Sequence, residues 1–225
     1  KQYVLRLRLE RIAHNLKLFP EQSVFELSLQ SGFSSPSTFS RAFKNYYGIT
    51  PDEFRKLSHT EISKICKLKN NKSKDFDNQS AEFWSVNFDE EASVDFTAGG
   101  KIEVIKLSSL KVAFIDSHLG GSNAVSNTFK ALYNIAIPRD LLNNETRFIG
   151  VFLDLPFFTE LSKCRFRACI TLPANINIPK EMAVSEIPEN KYAMFPVSGT
   201  TLDTLKSLIA FKHHWLDNSG YQIAE

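Results

Sequence analysis

From Tyr3 to Lys56 apolar residues recur at helical spacing in successive blocks, each bounded by residues that start or stop a helix. Val4, Leu5, Leu9, Ile12, Ala13 and Leu16 form the first block, with Arg6, Arg8, Arg11 and Lys17 among the other positions, so an amphipathic, basic helix is predicted. Ser23 and Glu26 then stand three apart, the spacing of a capping box in which two side chains satisfy orphan backbone donors, a device worth about 1 kcal/mol. A helix therefore begins near Val24, carries Leu27 and Leu29, and closes at Gly32, which can adopt a positive φ. Ser31 to Ser34 is the turn. Ser35 offers an N-cap hydroxyl and Pro36 suits the first helical position, so a second helix runs from Pro36 to about Tyr47 and stops at Gly48. On it Phe39 and Phe43 share a face with Ala42 and with Tyr46 or Tyr47, whereas Ser37, Ser40, Arg41, Lys44 and Asn45 point away. Thr50, Pro51 and Glu53 repeat the cap and start a short third helix with Phe54, Arg55 and Lys56.

After Ser58 the periodicity decays. KLKNNKSKDFDNQS is polar and charge-mixed and reads as a linker, while Phe83, Trp84, Val86, Phe88 and Phe96 are too aromatic for a free one; they pack on a domain or form an extra strand. From Val104 an internal repeat begins: VIKLSSLKVAFI lies over VSEIPENKYAMF at a constant offset of 80, pairing Val104 with Val184, Leu107 with Ile187, Lys111 with Lys191 and Ala113 with Ala193. Both copies read as strands broken by a polar turn. A helical pattern follows each, through Val125, Phe129, Leu132, Tyr133 and Ile135 in the first and Leu202, Leu205, Leu208, Ile209 and Trp215 in the second. RFIGVFLD and KCRFRACITL supply two more strands in the first half; a complete duplication would place two further strands beyond Glu225.

Charge sharpens this division. Residues 1–80 hold 14 Lys and Arg against 8 Asp and Glu, net +6, while 81–225 hold 13 against 17, net −4, so the overall +2 conceals a basic head and an acidic body. That polarity points the head toward nucleic acid. No apolar run approaches the ~20 residues of a membrane span and no signal peptide opens the chain, which agrees with a cytoplasmic protein without a membrane partner. Cys66, Cys164 and Cys169 lack CxxC spacing and the five histidines are scattered apart from His213 and His214, so neither a disulfide framework nor a metal site is written here.

Arg6 to Lys56, and GFSSPSTFSRAFKNYYGITPDEFRK in particular, resembles the second helix-turn-helix of the AraC/XylS family of transcription regulators. The resemblance implies that Tyr3 to Leu18 is the helix connecting two such units, with the first unit before Lys1. It also implies that the second recognition helix enters the major groove, at Pro36, Ser37, Thr38, Ser40 and Arg41. Arg41 is the expected base-edge contact, because a guanidinium fits guanine O6 and N7, and Lys44 and Asn45 are expected on phosphate. The competing reading for Arg41 is a salt bridge to Glu26 or Asp52.

Lys101 to Glu225 resembles the GyrI-like effector-binding domain, through KIEVIKLSSLKVAFI, RFIGVFLDLP, KCRFRACITLP and EIPENKYAMFPVSG. This implies two pseudo-symmetric halves flanking a pocket for lipophilic, often cationic, small molecules, with the ligand carboxylate on a strand beyond Glu225. Phe152, Asp154, Phe157, Phe166 and Trp215 are the candidate lining residues, against ordinary core packing for each.

The expected fold class is therefore a multidomain α plus α/β mix: an all-α helix-turn-helix head at 1–57, a linker at 58–100, and an α+β GyrI-like domain of duplicated strand-helix-strand-strand halves at 101–225. The expected function is a transcription regulator whose partners are double-stranded DNA, a small-molecule effector and RNA polymerase, with no cofactor. The alternatives are a protein-binding module, as in gyrase-inhibiting relatives, and a small-molecule hydrolase; no nucleophile, base and orienter stand at recognisable spacing, so an enzyme is not expected.

Overall fold

The computed structural model describes residues 2–58, 61–62, 64–65, 101–120, 123–154, 158–159, 161–172, 180 and 182–221. The chain divides into two units, one of Lys1–Phe76 with Asp154–Leu161, the other of Asp77–Leu153 with Ser162–Glu225.

In the first unit, α1 (Gln2–Leu18), α2 (Val24–Gln30), α3 (Pro36–Tyr47) and α4 (Pro51–Lys56) fall where the caps and periodicity place them. Both capping boxes form, Ser23 with Glu26 and Thr50 with Glu53. Gly32 (φ 75°) and Gly48 (φ 85°) take the left-handed conformation that ends α2 and α3, where a Cβ would strain the backbone. The core is an aromatic cluster: Phe39 meets Phe33 and Phe43 edge-on at 5.3 and 5.5 Å, and Phe43 meets Phe54 at 5.3 Å and Tyr47 at 4.6 Å. Leu9, Ile12, Ala13 and Leu16 of α1 close over this unit. Val4 and Leu5, expected on the same stripe, are exposed, because only the stretch of α1 from Leu9 to Leu16 is buried. Of the two tyrosines left open by the periodicity, Tyr47 is buried and Tyr46 half-buried.

Two boundaries depart from expectation. Ser58, read as the start of the linker, accepts from Glu61 N (3.2 Å) while its own N–H donates to Glu61 Oε2 (2.8 Å), and Ile62 behind this cap is fully buried. An extra helical turn thus follows α4, signalled by a Ser-x-x-Glu spacing that the polar surroundings masked. The second departure is that Asp154–Leu161, inside the expected GyrI-like span, clusters with the helices. The remainder of the expected linker and its aromatic residues 83–96 lie outside the described residues.

The second unit contains β1 (Glu103–Leu107), β2 (Leu110–His118), α5 (Ala124–Ala136), β3 (Phe148–Phe152), β4 (Arg165–Thr171), β5 (Ala183–Ile187), β6 (Asn190–Met194) and α6 (Thr201–Ala210), which runs into a π-helical turn at Phe211–Leu216. The offset of 80 is realised element for element: β1 maps on β5, and the start of β2 on β6. The strands within one copy do not pair with each other. β1 pairs antiparallel with β6 and β5 with β2, and Val104↔Ala193 has as its 80-residue image Val184↔Ala113. The polar breaks at Ser108–Ser109 and Pro188–Glu189 therefore redirect each copy from one sheet into the other; Pro188 has no N–H to continue a ladder. Among the described residues the sheets are a two-stranded β1-β6 and a four-stranded β3-β4-β2-β5.

Candidate nucleic-acid interface and ligand-binding sheet

Helix α3 is held by its apolar side and open on the other. Phe39, Phe43 and Tyr47, four residues apart in turn, are 0%, 0% and 3% exposed, whereas Ser37, Arg41, Lys44 and Asn45, spaced to follow one another along the helix, are all exposed. At its start Ser35 Oγ accepts from Thr38 N (3.2 Å) and lies 2.9 Å from Thr38 Oγ1 and 3.1 Å from Ser37 Oγ, which orders the first turn. Thr38 is exposed, and Pro36 and Ser40 are half-buried at the edges of the open face.

Several cations of this unit are engaged by its own backbone or side chains. Arg6 binds Glu10 at 3.0 Å, Arg8 donates to Gly32 O, Lys17 Nζ donates to Arg55 O (3.0 Å) and Leu57 O (2.6 Å), and Arg55 donates to Pro20 O and Gln22 O. Arg8, Lys17 and Arg55 fasten turns and helix ends, while Arg6 is paired within α1. Arg41 is different: among the described residues it forms no ion pair with Glu26 or Asp52. Glu26 and Glu53 are occupied by their caps, where the backbone N–H and then the hydroxyl of Ser23 or Thr50 hold each carboxylate below its ordinary range. Both carboxylates are thus engaged by their own caps, with the Lys44 charge a minor further contribution at Glu53.

In the second unit strand alternation sorts the four-stranded sheet into two faces. One carries Ser117, Phe148, Phe152 and Phe166 and is covered by α5: Ser117 Oγ is 2.6 Å from Thr128 Oγ1, and Phe129 meets Phe166 at 5.8 Å and Phe148 at 6.3 Å. The other carries Val112, Phe114 and Cys169, with the half-buried Leu110, Ile149, Val151 and Ile187 packed around them. At its end Arg167 donates to both oxygens of Asp116 (2.7 and 3.0 Å) while its guanidinium carbon lies 3.5 Å from the Phe114 ring centroid.

The candidate lining residues are distributed unevenly over this unit and the first. Phe152 and Phe166 come together, ring centroids 5.4 Å apart, on the face that α5 covers, and Phe166 is 1% exposed. Asp154 is half-buried in the segment that clusters with the helices, and Phe157 lies outside the described residues. Trp215, on the π-helical turn, is stacked between Phe211 (5.1 Å) and Tyr221 (5.8 Å), and Phe211 stacks in turn on Phe195. Sequence reading missed Phe114, Asp116 and Arg167; the alternation Val112, Phe114, Asp116 was the signal that could have found them. Of the cysteines, Cys164 and Cys169 are buried and form no disulfide, and burial pushes the Cys169 thiol above its ordinary value.

Comparison with known proteins assigns both parts. Residues 1–57 match the model of a helix-turn-helix domain, and residues 100–225 match that of the GyrI-like small molecule binding domain. The head is 45% identical over 56 residues to the Msm operon regulatory protein of Streptococcus mutans, covering 25% of this chain and 20% of that protein. It is likewise 45% identical over 56 residues to the uncharacterized transcriptional regulatory protein YesN of Bacillus subtilis (24% and 15%), and 43% identical over 54 residues to the HTH-type transcriptional regulator ArgR of Pseudomonas aeruginosa (24% and 16%). The match thus spans a fifth or less of the length of these three relatives. With the GyrI-like match extending over more than half of its length, the chain belongs to the GyrI-like small molecule binding family and joins to that domain an AraC-type helix-turn-helix.

Proposed function

We propose that this chain is the DNA-reading and ligand-sensing part of a transcription regulator, in which α3 enters the major groove and a small molecule held by the GyrI-like domain modulates DNA binding. The observation that carries this reading is the polarity of α3: Arg41, Lys44 and Asn45 are exposed while Phe39, Phe43 and Tyr47 are locked in the core. A rigid helix offering an unpaired guanidinium is suited to reading guanine O6 and N7. Lys44 and Asn45, a turn later, suit phosphate, and Ser37, Thr38 and Ser40 flank Arg41 within reach of the groove. The relatives' names as regulators favour this reading over hydrolysis.

For the small molecule, the sheet face opposite α5 is the proposed contact surface. Ile149, Val151 and Ile187 are half-buried there beside Phe114, and the Arg167–Asp116 pair supplies a charged edge to orient a ligand. Selection of duplexes from a random library by the protein tests the DNA half: enrichment of one motif, lost on Arg41→Ala, supports it, and recovery of random sequence refutes it. Titration with lipophilic cations followed by Trp fluorescence tests the ligand half; the expected result is a saturable change that Val151→Asp abolishes, and no change with any ligand would favour a protein-binding role.

A further inference from the structure

Among the described residues β3 is an edge of the four-stranded sheet, and of the six described strands it is the one whose span carries no charged residue. Glu103 and Lys106 stand on β1, Lys111 and Asp116 on β2, Arg165 and Arg167 on β4, Glu186 on β5 and Lys191 on β6. Charge, proline or a bulge ordinarily keeps a sheet edge from pairing with another chain. β3 has none of the three, and its register with β4 runs without interruption from Phe148↔Ile170 to Phe152↔Phe166. That pairing fixes the direction of its backbone groups. Leu153 N donates to Arg165 O and Thr171 N to Arg147 O, so the odd-numbered residues of β3 bond to β4, and the N–H and C=O of Phe148, Gly150 and Phe152 point away from it. Gly150 is exposed. Beside it Phe148 is 48% exposed, Tyr133 of α5, its ring 6.5 Å from that of Phe148, is 47% exposed, and Ile137, one turn beyond Tyr133, is 49% exposed. These three side chains leave about 300 Å² of apolar surface open, the size at which an exposed patch marks an interaction site.

We propose that β3 is an interface for a second copy of this chain, paired antiparallel with its own image across a two-fold axis at Gly150. The occupant follows from the parity of the edge. Phe148, Gly150 and Phe152 carry the outward-facing backbone groups and also lie on the α5 side of the sheet, so centring on Gly150 sets Phe148 opposite Phe152 of the second copy and Gly150 opposite Gly150, each as a hydrogen-bonded pair. Two aromatic cross-strand pairs then flank an axis at which no side chain stands. Directly opposite residues share a face, so the apolar patch of one copy meets that of the other, and every contact is made twice. With no charge on the strand there is no like-charge repulsion along it to oppose the pairing. Patch and strand backbone together would bury on the order of 1,000 Å² over the two copies, at the lower bound for a specific interface, so the dimer is a weak one that dissociates in the micromolar range. This surface lies within the second unit and uses neither α3 nor the sheet face proposed for the small molecule, so it stands apart from the regulator reading.

The experiment follows the full 225-residue chain by sedimentation equilibrium from about 1 to about 200 μM, with amide hydrogen exchange resolved residue by residue at both ends of that range. The mass is expected to rise from 25.5 kDa toward twice that value. At the high concentration the amides of Phe148, Gly150 and Phe152 are expected to exchange about tenfold more slowly, while those of Ile149 and Val151, already bonded to β4, change much less. Phe148→Lys charges the strand at both ends of the pairing and is expected to raise the dissociation constant about tenfold or more, as is Tyr133→Glu from the helix side. Because both residues are about half exposed, the thermal midpoints of the two variants should stay near that of the unaltered chain. A mass of 25.5 kDa throughout the range would overturn the proposal and leave the edge to a strand from a different protein. A dimer that survives both substitutions, or one whose formation leaves the three amides unprotected, puts the contact elsewhere and overturns it equally. The exchange comparison needs no substitution, so it decides the proposal should either variant fail to fold.

Discussion

Tyr46, in the last turn of α3, donates a 2.6 Å hydrogen bond from Oη to Oε1 of Glu10 in the middle of α1, and Arg6 grips the same carboxylate from one turn away. Glu10 is 5% exposed, a carboxylate kept under α3 by two partners and retained there because both are in place. Removing it takes this acceptor from both Arg6 and the Tyr46 hydroxyl. Glu10→Ala is expected to destabilise the head by about 2–3 kcal/mol and Tyr46→Phe by about 1 kcal/mol, measured as shifts in urea midpoint.

Arg41 and Lys44 are one turn apart on the same exposed face, yet their loss should look different. Arg41→Ala is expected to relax preference at one base position at a cost of about 1–3 kcal/mol, whereas Lys44→Ala weakens all sequences alike and lowers the salt slope by about one. Binding isotherms on the selected duplex and on single-base variants, at several salt concentrations, distinguish the two. Undiminished discrimination in Arg41→Ala would remove that residue from base reading.

The caps give the head an acid limb. Glu26 and Glu53 are held below their ordinary range in the folded protein by the N–H and hydroxyl of Ser23 and Thr50, so their contribution is complete above the unfolded carboxylate value of about 4.3 and is lost as pH falls through the lower folded values. Urea midpoints recorded from neutral pH downward should decline across that window, and Glu26→Gln with Glu53→Gln should flatten the decline. An equally steep limb in the double variant would locate the acid sensitivity elsewhere.

Gly150 is needed for lack of a side chain. A Cβ there would sit 2.9 Å from Phe166 Cζ and 3.5 Å from Phe129 Cζ, in the layer between β3 and α5. Gly150→Ala is expected to cost about 1–3 kcal/mol through overpacking, and Gly150→Ala with Phe166→Leu to recover part of it. Thermal midpoints of the two variants are the measurement.

Cys164 and Cys169 are 0% and 1% exposed, and desolvation disfavours the Cys169 thiolate. In a Cys66→Ser background the folded protein should resist a disulfide-exchange reagent at neutral pH and react at both thiols once unfolded. Rapid labelling of the folded form would show that this face of the sheet opens.

What was legible in the sequence was local. Ser23 with Glu26, Ser35 with Pro36, Thr50 with Glu53, and Gly32 and Gly48 settle helix ends through atoms only a few residues apart, so three helices and their turn could be read directly. The 80-residue repeat was equally visible, since related copies keep apolar residues in register. The burial of Phe39 and Phe43 followed from spacing. The role of Phe152 and Phe166 was harder: period two shows that they share a face, and nothing in the strand itself says that α5 covers that face.

By itself, the sequence determined the helix-turn-helix, its exposed cationic stripe and the duplicated strands, because caps, glycine turns and periodicity act over one or two turns of chain. Only the tertiary structure decided that each repeat exchanges strands with the other, that Tyr46 answers to Glu10 and Tyr47 to Phe158, and which face of the sheet α5 covers. Those outcomes depend on residues dozens to more than a hundred positions apart, selected by packing and hydrogen-bond satisfaction, which leave no spacing along the chain to be read.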